Sequence, residues 1–171
     1  MTKPAATSID KKIDFLSGYQ IVGGLIGIFL TLYWFYNADG VQSEFYLLIS
    51  LQLLMYLFSF TCGVLLFKGN NYAMRLSLLN QMLQIVGFSF LGYGFEYVAG
   101  ASFDVFIGYT DGITCTSGFG LSNWHLLINN DTGTKEISIN FIAVSFVWYI
   151  LNLKSNLKLE NSGSEIAAIG T

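Results

Sequence analysis

Four stretches of this chain carry no Lys, Arg, Asp or Glu: residues 18–36, 45–67, 76–95 and 137–153. Leu, Ile, Phe, Val and Tyr dominate all four. Uncharged runs of about 17–25 residues match the roughly 30 Å hydrocarbon core of a bilayer at about 1.5 Å per helical residue. The pattern predicts four membrane spans, at about 18–36, 45–67, 76–97 and 137–153.

Polar residues inside these runs fall on stripes. In the second run Gln52, Tyr56, Ser59 and Gly63 recur at spacings of four, three and four, which is one helix face. In the third, Ser77, Asn80, Gln84, Gly87 and Gly94 share a face with Gln81 beside it. In the fourth, Ser145, Trp148 and Asn152 do the same. An unsatisfied amide in hydrocarbon costs several kcal/mol, so these stripes must face protein or water. Residues 74–100 therefore read as the buried axis of a bundle. Gln52, Asn80, Gln81 and Gln84 form a candidate polar cluster, either interhelical glue or the lining of a pathway. Gly23 and Gly27, four apart in the first run, make a helix-packing seam toward a neighbouring span or a second copy. Tyr33, Trp34 and Tyr36 suit an interfacial aromatic belt.

Between the third and fourth runs the pattern changes. Phe103, Val105 and Ile107 alternate with Asp104, Phe106 and Gly108, a period of two. WHLLINN, a DTG turn and KEISIN read as a hairpin over the membrane surface. The expected fold is thus an all-α membrane protein: an antiparallel four-helix transmembrane bundle with a small extracytoplasmic β-hairpin cap. It comprises an N-terminal segment 1–17, a membrane domain 18–153 with a β-rich outer loop 99–136, and a flexible tail 154–171.

Charge supplies orientation. With four alternating spans, Lys3, Lys11, Lys12, Lys68, Arg75, Lys154 and Lys158 fall on one side and Lys135 alone on the other. The positive-inside rule then puts both termini in the cytoplasm and the long loop outside. Composition agrees: 53% of residues are hydrophobic and 11% charged, against roughly 25% charged in soluble domains. Mean hydropathy is +0.55. A net charge of −3 offers no basic face for nucleic acid.

Glu96 is the most suggestive ionisable residue. On a continuous helix it lies about 30 Å beyond Leu76, at the outer interface. With Trp124 and His125 it defines an outer junction, where a carboxylate could bind a cation or lipid amine, relay a proton, or accept hydrogen bonds from tyrosines or loop amides. His125 is the only histidine, and no HExxH motif is present, so no metal site is expected. Asp104 and Asp111 do not have calcium-loop spacing. Cys62 and Cys115 make no CxxC pair. Asn130, Asp131 and Thr132 match a glycosylation sequon. No catalytic or cofactor motif occurs. The expected role is a non-enzymatic accessory or assembly subunit, with the bilayer and another membrane protein, or a second copy, as partners. The alternative is a small oligomeric transporter or channel using the polar stripes.

Overall fold

The first two apolar runs lie in a pair of long antiparallel helices, α1 (Ser8–Asn37) and α2 (Ser43–Phe67). The computed structural model describes residues 8–37, 43–70, 72–109, 112–129, 133 and 135–169. Small residues let the two backbones close on each other. A Cβ at Gly24 would stand 2.7 Å from the Phe60 nitrogen, and one at Gly63 2.8 Å from the Ser17 carbonyl. By length and composition both helices could cross a membrane; among the described residues no other helix could.

The expected four-helix bundle is not what forms. The third run is helical only over α3 (Ala73–Met82), ten residues long. It then becomes β1 (Val86–Phe90) and β2 (Tyr93–Tyr97). The reason lies in the residues. Val86, Phe88 and Phe90 alternate with Gly87 and Ser89, a period of two that suits a pleated strand. Glycines at 87, 92, 94 and 100 weaken a helix at every turn. Leu91 (φ 49°) and Gly92 (φ 83°) then reverse the chain in a two-residue turn with both centres left-handed.

The fourth run is also split. Its first residues complete β6 (Lys135–Asn140), and α4 (Phe141–Ile169) follows directly. Asn140 makes the junction: its Oδ1 accepts the backbone N–H groups of Ile142 (3.0 Å) and Ala143 (3.2 Å), a helix N-cap. The apolar part of α4, Phe141–Leu157, is shorter than a span. The helix continues through the stretch expected as a loose tail.

With β3 (Ala101–Tyr109), β4 (Ile113–Leu121) and β5 (Trp124–Leu127), the strands build one antiparallel sheet in the order β4-β3-β6-β1-β2-β5. The alternation at 103–108 is strand β3. The expected hairpin of WHLLINN and KEISIN does not exist, because β5 pairs with β2 at one edge and β6 lies between β3 and β1. Its DTG turn, the sequon and Asp111 involve residues outside those described. Nor is the sheet a cap on the helix ends. Backbone at Ala99–Gly100 crosses α1 at Gly23, near that helix's midpoint, where a Cβ would stand 2.7 Å from the Ala99 carbonyl. From there the sheet stands beside the second half of α1 and the first half of α2. α3 and α4 pack on the other half, around Leu16, Leu66, Ala73 and Ile150.

The sheet's two faces are opposite in character. Strand register puts Val86, Phe88 and Phe90 on the same face as Ile137, Ile139, Val105, Ile107 and Tyr109. The other face carries Gly87, Ser89, Glu96, Glu136, Ser138, Ser102 and Asp104. Over β1, β3 and β6 the apolar face is the open one: Phe88 is 44%, Ile107 53% and Ile137 57% exposed, against 5% for Asp104 and 4% for Ser138. The α1–α2 hairpin covers the apolar side at β2 and β5, where Tyr97 packs with Tyr56, Met55 and Ile28, and α4 packs against β3. On the polar face Gly87, Gly94, Ser102, Asp104, Ser138 and Asn140 are buried, while Glu136 and His125 toward its margins are exposed. In a water-facing sheet the apolar side is the one covered. This sheet is inverted.

Candidate functional site

Two polar sites follow from this architecture. The first is a buried network where α1, α2, α3 and β2 meet. Asn80, fully buried, donates from Nδ2 to Ser59 Oγ (3.1 Å), and Ser59 donates in turn to the Gln20 carbonyl (3.4 Å). Ser77 donates to Gln20 Oε1 (3.0 Å). From the sheet side, the single hydroxyl proton of Tyr97 is shared between Asn80 Oδ1 (3.0 Å) and the Met55 carbonyl (2.8 Å). Gln84 bridges the same junction: Nε2 donates to the Asn80 carbonyl (3.1 Å), and Oε1 accepts the Ala99 N–H (2.9 Å). Each amide is placed by the helix pattern, since Ser77, Asn80 and Gln84 share one face.

The network brings together Asn80 and Gln84 of the sequence-derived cluster. Gln81 is fully buried beside them, yet neither end of its amide has a partner. Gln52 lies elsewhere, in an open cleft of about 590 Å³ that β5 forms with Leu30, Trp34, Leu48 and Ile49. Gln20 and Tyr97 are the members that sequence reasoning missed. Gln20 is a lone carboxamide in an otherwise apolar run, and that oddity is the signal that points to it. Tyr97 carries no such mark.

Gly23 and Gly27 serve contacts inside the chain. Gly23 lies under the β2–β3 connection, and its carbonyl accepts from Ser122 Oγ (3.1 Å). Gly27 lies against the Tyr56 ring.

The second site is the polar face of the sheet. Glu96 and His125 are cross-strand partners on β2 and β5, as are Tyr97 and Trp124. Alternation separates these pairs. Glu96 and His125 point to the polar side, while Trp124 packs edge-on against Phe95 and Tyr97 on the apolar side. Glu96 is a strand residue, so its expected position 30 Å up a helix does not hold. Its Oε1 accepts from Asn123 Nδ2 (2.9 Å). Burial pushes its carboxyl pKa above the ordinary value; the Asn123 bond opposes this, Asp104 adds to it, His125 opposes it and Glu136 adds to it. β2 and β3 are three strand spacings apart, about 14 Å in a flat sheet. Along the same face Ser102 Oγ and Asn140 Nδ2 are buried and unpartnered.

Among the described residues, no three His, Cys, Asp or Glu side chains converge in metal-binding geometry. The thiol of Cys62 is buried and that of Cys115 exposed, both free. No protein-family model, curated protein or solved structure matches this chain.

Proposed function

We propose that this protein is a membrane-associated, non-enzymatic accessory or assembly subunit. The α1–α2 hairpin sits in the bilayer, and the apolar face of the sheet docks on another membrane protein. The inverted sheet carries this reading. Val86, Phe88, Ile107, Ile137 and their neighbours form a contiguous exposed apolar face, and such faces mark interaction surfaces. The helices support it as well: Phe29, Leu32, Tyr33 and Trp34 on α1 and Leu47, Leu54 and Leu57 on α2 all point outward.

The transporter alternative draws less support. The stripe residues Ser59, Ser77, Asn80 and Gln84 are hydrogen-bonded to one another, to the Gln20 side chain or to nearby backbone, which is the behaviour of bundle glue.

A photo-crosslinking amino acid at Ile137, used in native membranes, tests the docking reading. The expected product is a discrete adduct with a different protein from Ile137, and none from the enclosed position Ser138. Adducts with lipid alone, or equal labelling from both positions, would reject a partner on this face.

A further inference from the structure

The two edges of the sheet are unlike. β5 has four residues and faces the helical hairpin across the cleft lined by Leu30, Trp34 and Ile49. β4 has nine residues and pairs with β3 along its whole length without a bulge. Among the described residues its far side meets no other strand. The devices that keep natural edges from pairing are charged residues (Lys above all), proline, bulges or shortness, and β4, with sequence ITCTSGFGL, has none. Its apolar side chains also stand furthest from cover, Ile113 at 83% and Phe119 at 85% exposure.

We infer that β4 pairs antiparallel with β4 of a second copy, about a two-fold axis through Ser117, joining the two sheets into one. A second copy fits this edge for three reasons. The full-length register is self-complementary, and it is the one arrangement that pairs all nine residues of both strands. No charge on either strand opposes the approach. The side chains also match in size: Phe119 falls opposite Cys115 of the partner, the β-branched Thr114 and Thr116 fall opposite glycines, and Ile113 meets Leu121. A two-fold axis perpendicular to the sheet keeps both apolar faces on the same side, so the docking face doubles in width. The free N–H and C=O groups of each edge are satisfied by the other, which matters most where water is scarce.

The test uses the full chain in mild detergent or nanodiscs, with Cys115→Ser removing the native exposed thiol. Ser117→Cys then places two thiols opposite each other, within reach of oxidation. Ile113→Cys places its pair eight residues out of register, about 27 Å apart. The expected result is a covalent dimer from Ser117→Cys, none from Ile113→Cys, and a particle of twice the 19.0 kDa chain mass. Phe119→Lys should return the mass to that of one chain; if it fails to fold by circular dichroism, Ser117→Lys serves instead. Three outcomes overturn the proposal: a single-chain mass at micromolar concentration, no cross-link from a Ser117→Cys thiol that alkylates normally, or cross-linking from Ile113→Cys at equal or greater yield.

Discussion

The helical half and the sheet half of this molecule both hide polar groups, but by opposite means. In the helical half the amides of Asn80 and Gln84 are sunk among apolar side chains, and each finds its own partner. In the sheet half the polar residues are hidden as a set. The pleat assigns every second residue to one face, and the middle of that face is buried, with Ser102, Asp104 and Ser138 all under 6% exposed. The consequences differ. Paired amides specify how α1, α2, α3 and β2 lock together, because each bond is directional. An enclosed polar face specifies little about its interior, and there Ser102 Oγ and Asn140 Nδ2 stay unpaired. It does dictate what the outside must meet. The helical half explains how the fold holds; the sheet half leaves the apolar side chains of β1, β3 and β6 exposed.

The largest effect should come from breaking the paired half at its hub. Asn80→Leu removes the bonds from Asn80 to Ser59 and from Tyr97 to Asn80, and leaves the Ser59 hydroxyl without a donor in an apolar bundle. At about 1 kcal/mol for each lost bond, plus the cost of a stranded group, destabilisation should reach about 3 kcal/mol. Denaturant unfolding in detergent measures it. A loss under about 1 kcal/mol would mean that the network is incidental to stability.

The matching strike on the sheet half is steric. A Cβ at Gly87 would collide with Ser138 Oγ on the enclosed face, whereas one at Gly118 would meet only the Phe106 ring at 4.0 Å. Gly87→Val should therefore cost about 1–3 kcal/mol as overpacking. Gly118→Ala should stay within about 0.5 kcal/mol of the parent, as ordinary substitutions do. Equal costs for the two variants would show that the face around Gly87 is open.

Gln81 sharpens the contrast from within the helical half, because both ends of its buried amide lack a partner, where Gln20 lacks one only at Nε2. Gln81→Leu keeps the volume and removes the stranded group, so stability should hold or rise by up to about 1 kcal/mol. A loss comparable to that of Asn80→Leu would give Gln81 a partner in solution.

The sequence made the helical half largely legible. Absence of charge over 18–36 and 45–67 marked α1 and α2, and heptad spacing put Ser77, Asn80 and Gln84 on the face where they bond. The sheet half was hidden by the same feature that defines it. Because its outer face is apolar, residues 86–97 and 137–140 continue the hydrophobicity of the helices before and after them. Length alone could not separate strand from span. The discriminating signals were finer: the alternation Val86-Gly87-Phe88-Ser89-Phe90, and a Leu91-Gly92 pair where strands reverse. Leu91 is itself a poor turn residue, held at φ 49°. Leu91→Asn supplies the side chain that such turns prefer and should raise stability by about 1 kcal/mol. No change would mean that the turn adopts another geometry in solution.

The smallest effect concerns Glu96, where the two halves of the comparison touch. Its neighbour Tyr97 is committed to the paired network, while Glu96 faces the enclosed side. There burial, reinforced by Asp104 and Glu136 and opposed by Asn123 and His125, holds its proton to a higher pH than in the unfolded chain. Between the ordinary glutamate range and the raised value, the folded state binds more protons than the unfolded one. Stability should therefore fall as pH rises through that window and level off above it. Glu96→Gln retains an oxygen to accept the Asn123 bond and removes the ionisation. Its melting temperature should exceed the parent's at pH 8, and the gap should close as pH approaches 4. A variant that melts lower than the parent at pH 8 would mean that the charged carboxylate is wanted on that face, and that the enclosed side of the sheet holds a cationic group that pairs with it.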